Sequence, residues 1–384
     1  MGEIKKIELD YSQLDSDRMR LNMGPQHPST HGVLRLEVEL DGEIVTDVIP
    51  HIGYLHRCFE KHCEKMEYPQ VTPYIDRLDY ISSMNNEWPY VMGIEKMMGI
   101  TVPDKCEYLR VIVSELNRIA NHQVAISAFG LDAGAFTPLL WLFRDREYIL
   151  AILEKLSGGR LLYNYFRVGG MASNVIYPTF KEEVLACLKQ VRKSTPEILE
   201  LLIKNKIFIE RTANVGILPA DVAVNYGCTG PVLRGSGLAY DLRRTEPYSI
   251  YDRFDFDVQV GKGEMGTLGD CWDRNIVRYR EIEESCRIIE QAIEQMPMDG
   301  DLNEAIPKKV RPPKGEIYCR AENPKGELGF YIVSDGKNNP ERIKCRATSF
   351  VNLSVIPEIS RGYMFADLIM ILGSIDIVLG EVDK

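Results

Sequence analysis

Hydrophobic positions recur at helical spacing along most of this chain, while near both ends they alternate instead. Leu109, Ile112, Val113, Leu116, Ile119, Ala120, Gln123 and Ile126 share one stripe, the pattern of a long buried helix. Tyr148, Ile149, Ile152, Leu153 and Leu156 repeat it over Asp145 to Leu156, and Gly158-Gly159 stops that helix. Further helices are predicted over Glu182 to Val191, from Pro196 onward, and over Asn275 to Gln295, the last with alternating charges outside. Gly216 to Asp270 is rich in Gly, Pro and Asp. Such a long irregular stretch in a compact chain is usually functional or wraps a partner.

Towards the start, Leu34, Leu36, Val38 and Leu40 alternate with Arg35, Glu37 and Glu39. Asp41-Gly42 offers a type I′ turn and Ile44 to Val48 returns, which predicts a β-hairpin. Gly315 to Arg320, Gly329 to Val333 and Arg342 to Ala347 are expected to form short strands near the other end. The expected fold is therefore α+β, mainly α-helical, with small antiparallel sheets formed near both ends of the chain. It is expected as one domain over 1–384: a hairpin region about 20–50, a helical core about 53–310, and strands and tail about 311–384.

Composition narrows the function classes. The 384 residues carry a net charge of −10 and no basic run interleaved with aromatics, which argues against a nucleic-acid binder. Nine cysteines are scattered with no Cys-x-x-Cys pair, as expected of reduced thiols in a cytosolic compartment, mostly filling the core. Met1 to Ser16 is charged and partly acidic, unlike a signal or transit peptide. The most apolar run, Tyr363 to Gly380, is interrupted by Asp367 and Asp376 and reads as a core element rather than a bilayer span. Gly261 to Gly266 approximates a dinucleotide fingerprint but follows an Asp-rich loop instead of a buried strand.

The chemistry concentrates just before the hairpin. Gly24-Pro25-Gln26-His27-Pro28-Ser29-Thr30-His31-Gly32 packs two histidines among glycines and prolines, so it is a constrained loop and not a helix interior. His27 and His31 could be half of a zinc site, which lacks a matching second half, or could cap backbone groups. Taken alone, Tyr80 reads as a core tyrosine, Asp132 as a turn residue beside Gly134, and Arg57 and Arg77 as ion-pair partners.

Four stretches together carry a resemblance: the loop 24–32, Gly53-Tyr54-Leu55-His56-Arg57, Asp76-Arg77-Leu78-Asp79-Tyr80, and Gly373-Ser374-Ile375-Asp376-Ile377-Val378-Leu379-Gly380-Glu381-Val382-Asp383. The chain resembles, essentially end to end, the quinone-site subunit of the proton-pumping NADH:quinone oxidoreductases, respiratory complex I. That family is related to the large subunit of nickel–iron hydrogenases, whose helical core this chain is then expected to share. Laid on the hydrogenase thiolate motifs, this chain has Asp79, Ser82, Val378 and Glu381 where cysteines would be. A soft-metal site does not survive the loss of its thiolates, so nickel–iron chemistry is excluded and a metal-free cavity is expected.

The resemblance implies that His31 and Tyr80 contact a quinone headgroup and that Asp132 orients His31 and stabilises its charged form. It implies a holding role for His27, and it places Arg57 and Arg77 near the terminal tetranuclear iron–sulfur cluster of a partner subunit. The four-cysteine spacing of a ferredoxin-like cluster is missing from this sequence, so the partner must hold that cluster. NADH and flavin are expected elsewhere in the complex, with membrane-arm and other peripheral-arm subunits as further partners. The expected location is the bacterial cell membrane, peripherally on the cytoplasmic side. Arg167 with Gly169-Gly170, and Arg234 with Gly235-Ser236-Gly237, match family motifs without an assigned chemistry, and His51, His56, His62 and His122 are expected to be structural, His122 on a helix flank. The competing readings are the same subunit with a ferredoxin or other donor module, a catalytically silent assembly scaffold, and a hydrolytic metalloenzyme built on His27 and His31.

Overall fold

The structure, a computed structural model, describes residues 18–384; the reading of Met1 to Ser16 lies outside them. The first sheet has three antiparallel strands, β1 (Arg18–Met23), β2 (Arg35–Asp41) and β3 (Ile44–His51), in that order. Leu34, Leu36, Val38 and Leu40 are all buried, so the alternation points one face at the core. Two details differ from expectation. β1 pairs Met23 with Leu36, adding a strand whose alternation, Leu21 and Met23, is too brief to mark it in the sequence. The hairpin closes at Gly42-Glu43, because Asp41 pairs with Ile44, and only Gly42 has positive φ (59°). A glycine at the first central position is the type II′ signature, not type I′.

The helical body follows. Its elements are α1 (Tyr68–Ile75), α2 (Ser83–Met98), α3 (Asp104–Asp132), α4 (Phe136–Ser157), α5 (Phe180–Ile198) and α6 (Cys271–Gln295). α3 is the axis: α6 packs along it, α4 folds back on it, and the predicted stripe from Leu109 to Ile126 is entirely buried. α5 does not break at Pro196. The helix runs on to Ile198 and then widens into a π turn at Leu199–Ile203, with Pro196 inside the last turn before it. The 216–270 stretch is irregular as expected, broken only by short helices. β6 (Gly315–Asn323), β7 (Gly326–Ser334) and β8 (Arg342–Arg346) form the second main sheet, and α7 (Phe365–Ile375) and α8 (Leu379–Val382) follow it.

Between α3 and α6 lies a buried ion network that accounts for Arg234. Its Nε donates to Glu281 Oε1 at 2.8 Å and its Nη1 to Glu322 Oε1 at 2.7 Å. His122, fully buried and not on a flank, sits 2.9 Å from the other Glu281 oxygen. Burial alone would raise the Glu281 pKa, but Arg234 and His122 outweigh it and take it down to about 2. Removing one member leaves charges buried without a partner. Arg234→Met is expected to cost about 3–5 kcal/mol in urea unfolding; a loss below about 1 kcal/mol would show that the network relaxes or hydrates freely. Arg167 is likewise structural. The Arg110–Glu95 pair holds the turn between β4 (Phe166–Arg167) and β5 (Gly170–Met171) by bonds to Arg167 O at 2.9 Å and Gly169 N at 2.7 Å.

Candidate active site

The histidine loop joins β1 to β2 and is braced by its own backbone. His27 caps the short turn Pro28–Thr30 by accepting from Ser29 N at 3.2 Å, and His31 ends it in the left-handed region (φ 51°). That turn aims the His31 ring at the C-terminal end of α3. There His31 Nε2 lies 2.9 Å from Asp132 Oδ2, and the two side chains are only 20% and 10% exposed. Burial opposes a charge on the imidazole, but the bond and charge of Asp132, with Asp376 behind it, outweigh burial and raise the His31 pKa. The histidine is thus held towards its protonated form at neutral pH.

Tyr80 comes from the other side, in the turn between α1 and α2. It is 37% exposed, and among the described residues its hydroxyl has no hydrogen-bond partner. What joins the two sides is the tail. A Cβ on Gly380 would sit 2.6 Å from Leu78 O, 2.7 Å from Arg77 O and 3.4 Å from the Tyr80 ring, so only glycine lets the tail approach this turn. The neighbouring Leu379 reaches Gly32, beside His31, within 3.0 Å of where a Cβ would be. Imidazole loop and phenol therefore stand against consecutive residues of the same short segment. Gly373 plays a similar part for Asp132, whose Oδ2 would lie 2.8 Å from a Cβ there. Burial raises the Tyr80 pKa, Asp79 and Asp376 raise it further and Lys325 opposes, so the phenol keeps its proton at neutral pH.

Asp79 and Glu381 are each held by a serine hydroxyl. Asp79 Oδ2 accepts from Ser82 Oγ at 2.5 Å and faces Lys325 Nζ at 3.2 Å. Glu381 turns its carboxylate to Ser349, accepting from its backbone N at 3.1 Å and its Oγ at 3.0 Å. Lys325 carries no signal in the sequence, because Asn323-Pro324-Lys325-Gly326 looks like an exposed hairpin turn; it is 2% exposed. Asp383 is equally silent there. Its carboxylate accepts from Gly53 N at 2.8 Å and Leu55 N at 2.7 Å, and so ties the tail to the 53–57 loop.

The other predicted residues line the rim. His27, Pro25, Gly32 and Tyr54 border an open groove of about 630 Å³ on the outer side of the histidine loop. Arg57 donates to Arg77 O at 2.8 Å, Arg77 bonds Pro73 O, and both arginines are exposed. Neither reaches His31 or Tyr80 by a hydrogen bond. Their side chains face outwards, where a partner could meet them. Eight of the nine cysteines are buried and Cys58 is exposed, and among the described residues no three His, Cys, Asp or Glu side chains gather as metal ligands.

Comparison with known proteins matches this arrangement to one family. The model of the respiratory-chain NADH dehydrogenase 49 kDa subunit matches residues 132–310 and 302–384. An NADH-quinone oxidoreductase subunit of Chlorobaculum tepidum is 54% identical over 383 residues, covering 99% of this chain and 95% of that protein. Its counterpart in Chlorobium phaeovibrioides is 55% identical over 97% of this chain and 93% of its own length. The counterpart in Cytophaga hutchinsonii is 53% identical over the full length of both. With a helical core on α3 and sheets near both ends, the chain belongs to the 49 kDa subunit family of the respiratory-chain NADH dehydrogenases, on the hydrogenase-large-subunit-like fold.

Proposed function

We propose that this chain, as part of a multisubunit NADH:quinone oxidoreductase, binds the quinone headgroup between His31 and Tyr80 and supplies both protons for its reduction. One observation carries the reading: the loop of the part-buried His31–Asp132 pair meets Leu379 through Gly32, the exposed phenol of Tyr80 meets Gly380, and both lie under the field of the same acid, Asp376. Two electrons entering a quinone put negative charge on its carbonyl oxygens. Groups that donate hydrogen bonds and then release protons are what that change requires. The phenol of Tyr80 gives one proton and is left as phenolate; the imidazolium of His31 gives the other and is left neutral. Asp132 then faces an uncharged ring, and this loss of an ion pair is the local event that would start a conformational step.

The electrons come from a tetranuclear iron–sulfur cluster held by a partner subunit, beside Arg57 and Arg77. The scattered thiols of this chain are unsuited to hold it. A cation near a cluster raises its potential, which favours delivery of electrons to this site. NADH and flavin belong to other subunits. No helix among the described residues is long and apolar enough to cross a membrane, which fits attachment through membrane-arm subunits on the cytoplasmic face. A core cluster running from Leu21 to Val382 supports treating the chain as one folding unit.

The test is to assay His31→Gln in the assembled complex. It is expected to lose most NADH:quinone activity while NADH oxidation by a soluble one-electron acceptor, which draws electrons before the quinone, stays at the wild-type rate. Equal quinone turnover in variant and wild type would end the proposal.

A further inference from the structure

Resting on the proposed quinone site, one buried charge has no assigned task. Lys325 stands at the tip of the β6–β7 hairpin, yet its side chain is 1% exposed. Its Nζ lies 3.2 Å from Asp79 Oδ2 and 3.4 Å from Asp376 Oδ2, and it donates to Asn121 Oδ1 at 3.1 Å. Asp79 comes from the turn after α1, Asn121 from α3 and Asp376 from the end of α7, so three elements converge on one ammonium. It bridges Asp79 and Asp376, which lie on two of the stretches that carry the family resemblance.

We infer that Lys325 is the positioning residue for proton donation by Tyr80, the fixed counter-charge that compensates the phenolate formed when quinone takes the phenolic proton. The hydroxyl of Tyr80 breaks its O–H bond to the quinone oxygen, the electrons arriving from the partner's cluster. The phenolate then forms on the residue next to Asp79, the carboxylate that pairs with the ammonium at 3.2 Å, and both carboxylates and Asn121 hold that ammonium in place. Without a cation the new charge would join Asp79 and Asp376, and a buried like-charge cluster opposes ionisation strongly.

The groups around it fit that role. Arg278, on α6, approaches Asp376 at 3.9 Å and is also buried. Glu381, on α8, is pushed up to about 7 by burial and by Asp79, against Lys325. The ammonium itself stays charged, since the two aspartates outweigh its burial.

The experiment compares Lys325→Met, Lys325→Arg and Tyr80→Phe in the assembled complex with a short-chain quinone, as kcat, KM and rate against pH. Lys325→Met is expected to lower kcat at least tenfold with KM changed less than twofold. Above the limb set by His31, the second alkaline limb, set by Tyr80, should move to higher pH, because Tyr80 without the ammonium holds its proton more tightly. Lys325→Arg keeps the cation and should recover most of kcat with a wild-type limb. Should Lys325→Met not assemble, Asp79→Asn/Lys325→Met removes one buried charge of each sign and is expected to assemble with the same tenfold loss. Wild-type kcat and pH profile in either Met variant would overturn the inference. So would equal losses in the Met and Arg variants with an unmoved limb, the mark of a packing defect. Tyr80→Phe separates the levels: if it is impaired while Lys325→Met is normal, only the Lys325 role fails, and if both are normal, the quinone site itself fails.

Discussion

Tyr80→Phe is expected to cut quinone reduction by about 10²–10⁴-fold, the range a positioned proton donor contributes, with assembly intact. The substitution keeps the ring against Gly380 and removes only the oxygen, which has no protein partner among the described residues to leave unsatisfied. Burial, Asp79 and Asp376 keep the phenol protonated at neutral pH, so wild type has its donor ready. The decisive measurement is turnover with a short-chain quinone, which reduces the contribution of tail binding. Loss of kcat there assigns the defect to the headgroup, while wild-type turnover would remove Tyr80 from the chemistry.

Asp132→Asn is expected to shift the alkaline limb of the rate profile to lower pH. The carboxylate is the first of the groups that raise the His31 pKa against burial; without it, burial still disfavours the imidazolium and only Asp376 supports it. At a fixed pH above the new pKa, each unit of fall removes about tenfold of the protonated histidine, and kcat should fall with it. The stability effect has the same origin. A histidine whose pKa is raised on folding contributes stability that is fully present below about 6.5. That contribution is lost as pH rises through the raised folded value, so wild type and variant should differ most in acid and converge in alkali. A rate profile superimposable on wild type would count against the pairing.

The helical body is legible in the sequence because its signal is periodic and local. The stripe on α3 and the stop at Gly158 each need only one helix to be read. The places where expectation and structure part depend on other segments. β1 is marked by Leu21 and Met23 alone and becomes a strand only because β2 offers it an edge. Pro196 looks like a restart until the following π turn is seen. His122 faces Glu281 from 159 residues away, which no local pattern reveals. The site shows the same division. The His31–Asp132 pair spans 101 residues and follows from family resemblance, not from spacing. Lys325 and Asp383 give no local sign, because a lysine in a turn and an aspartate in a tail are ordinarily solvated.

The bond from Gly53 N to Asp383 joins residues 330 positions apart. Loops of that length close slowly, after local helices have formed. Residues 379–383 follow α3 and both main sheets in the chain, so the contacts of Gly380 and Asp383 are made onto elements that precede them. Until that tail is in place, the imidazole loop and the phenol turn lack the segment against which both pack. The segment that joins the loop of His31 to the turn of Tyr80 therefore arrives after the scaffold that carries both.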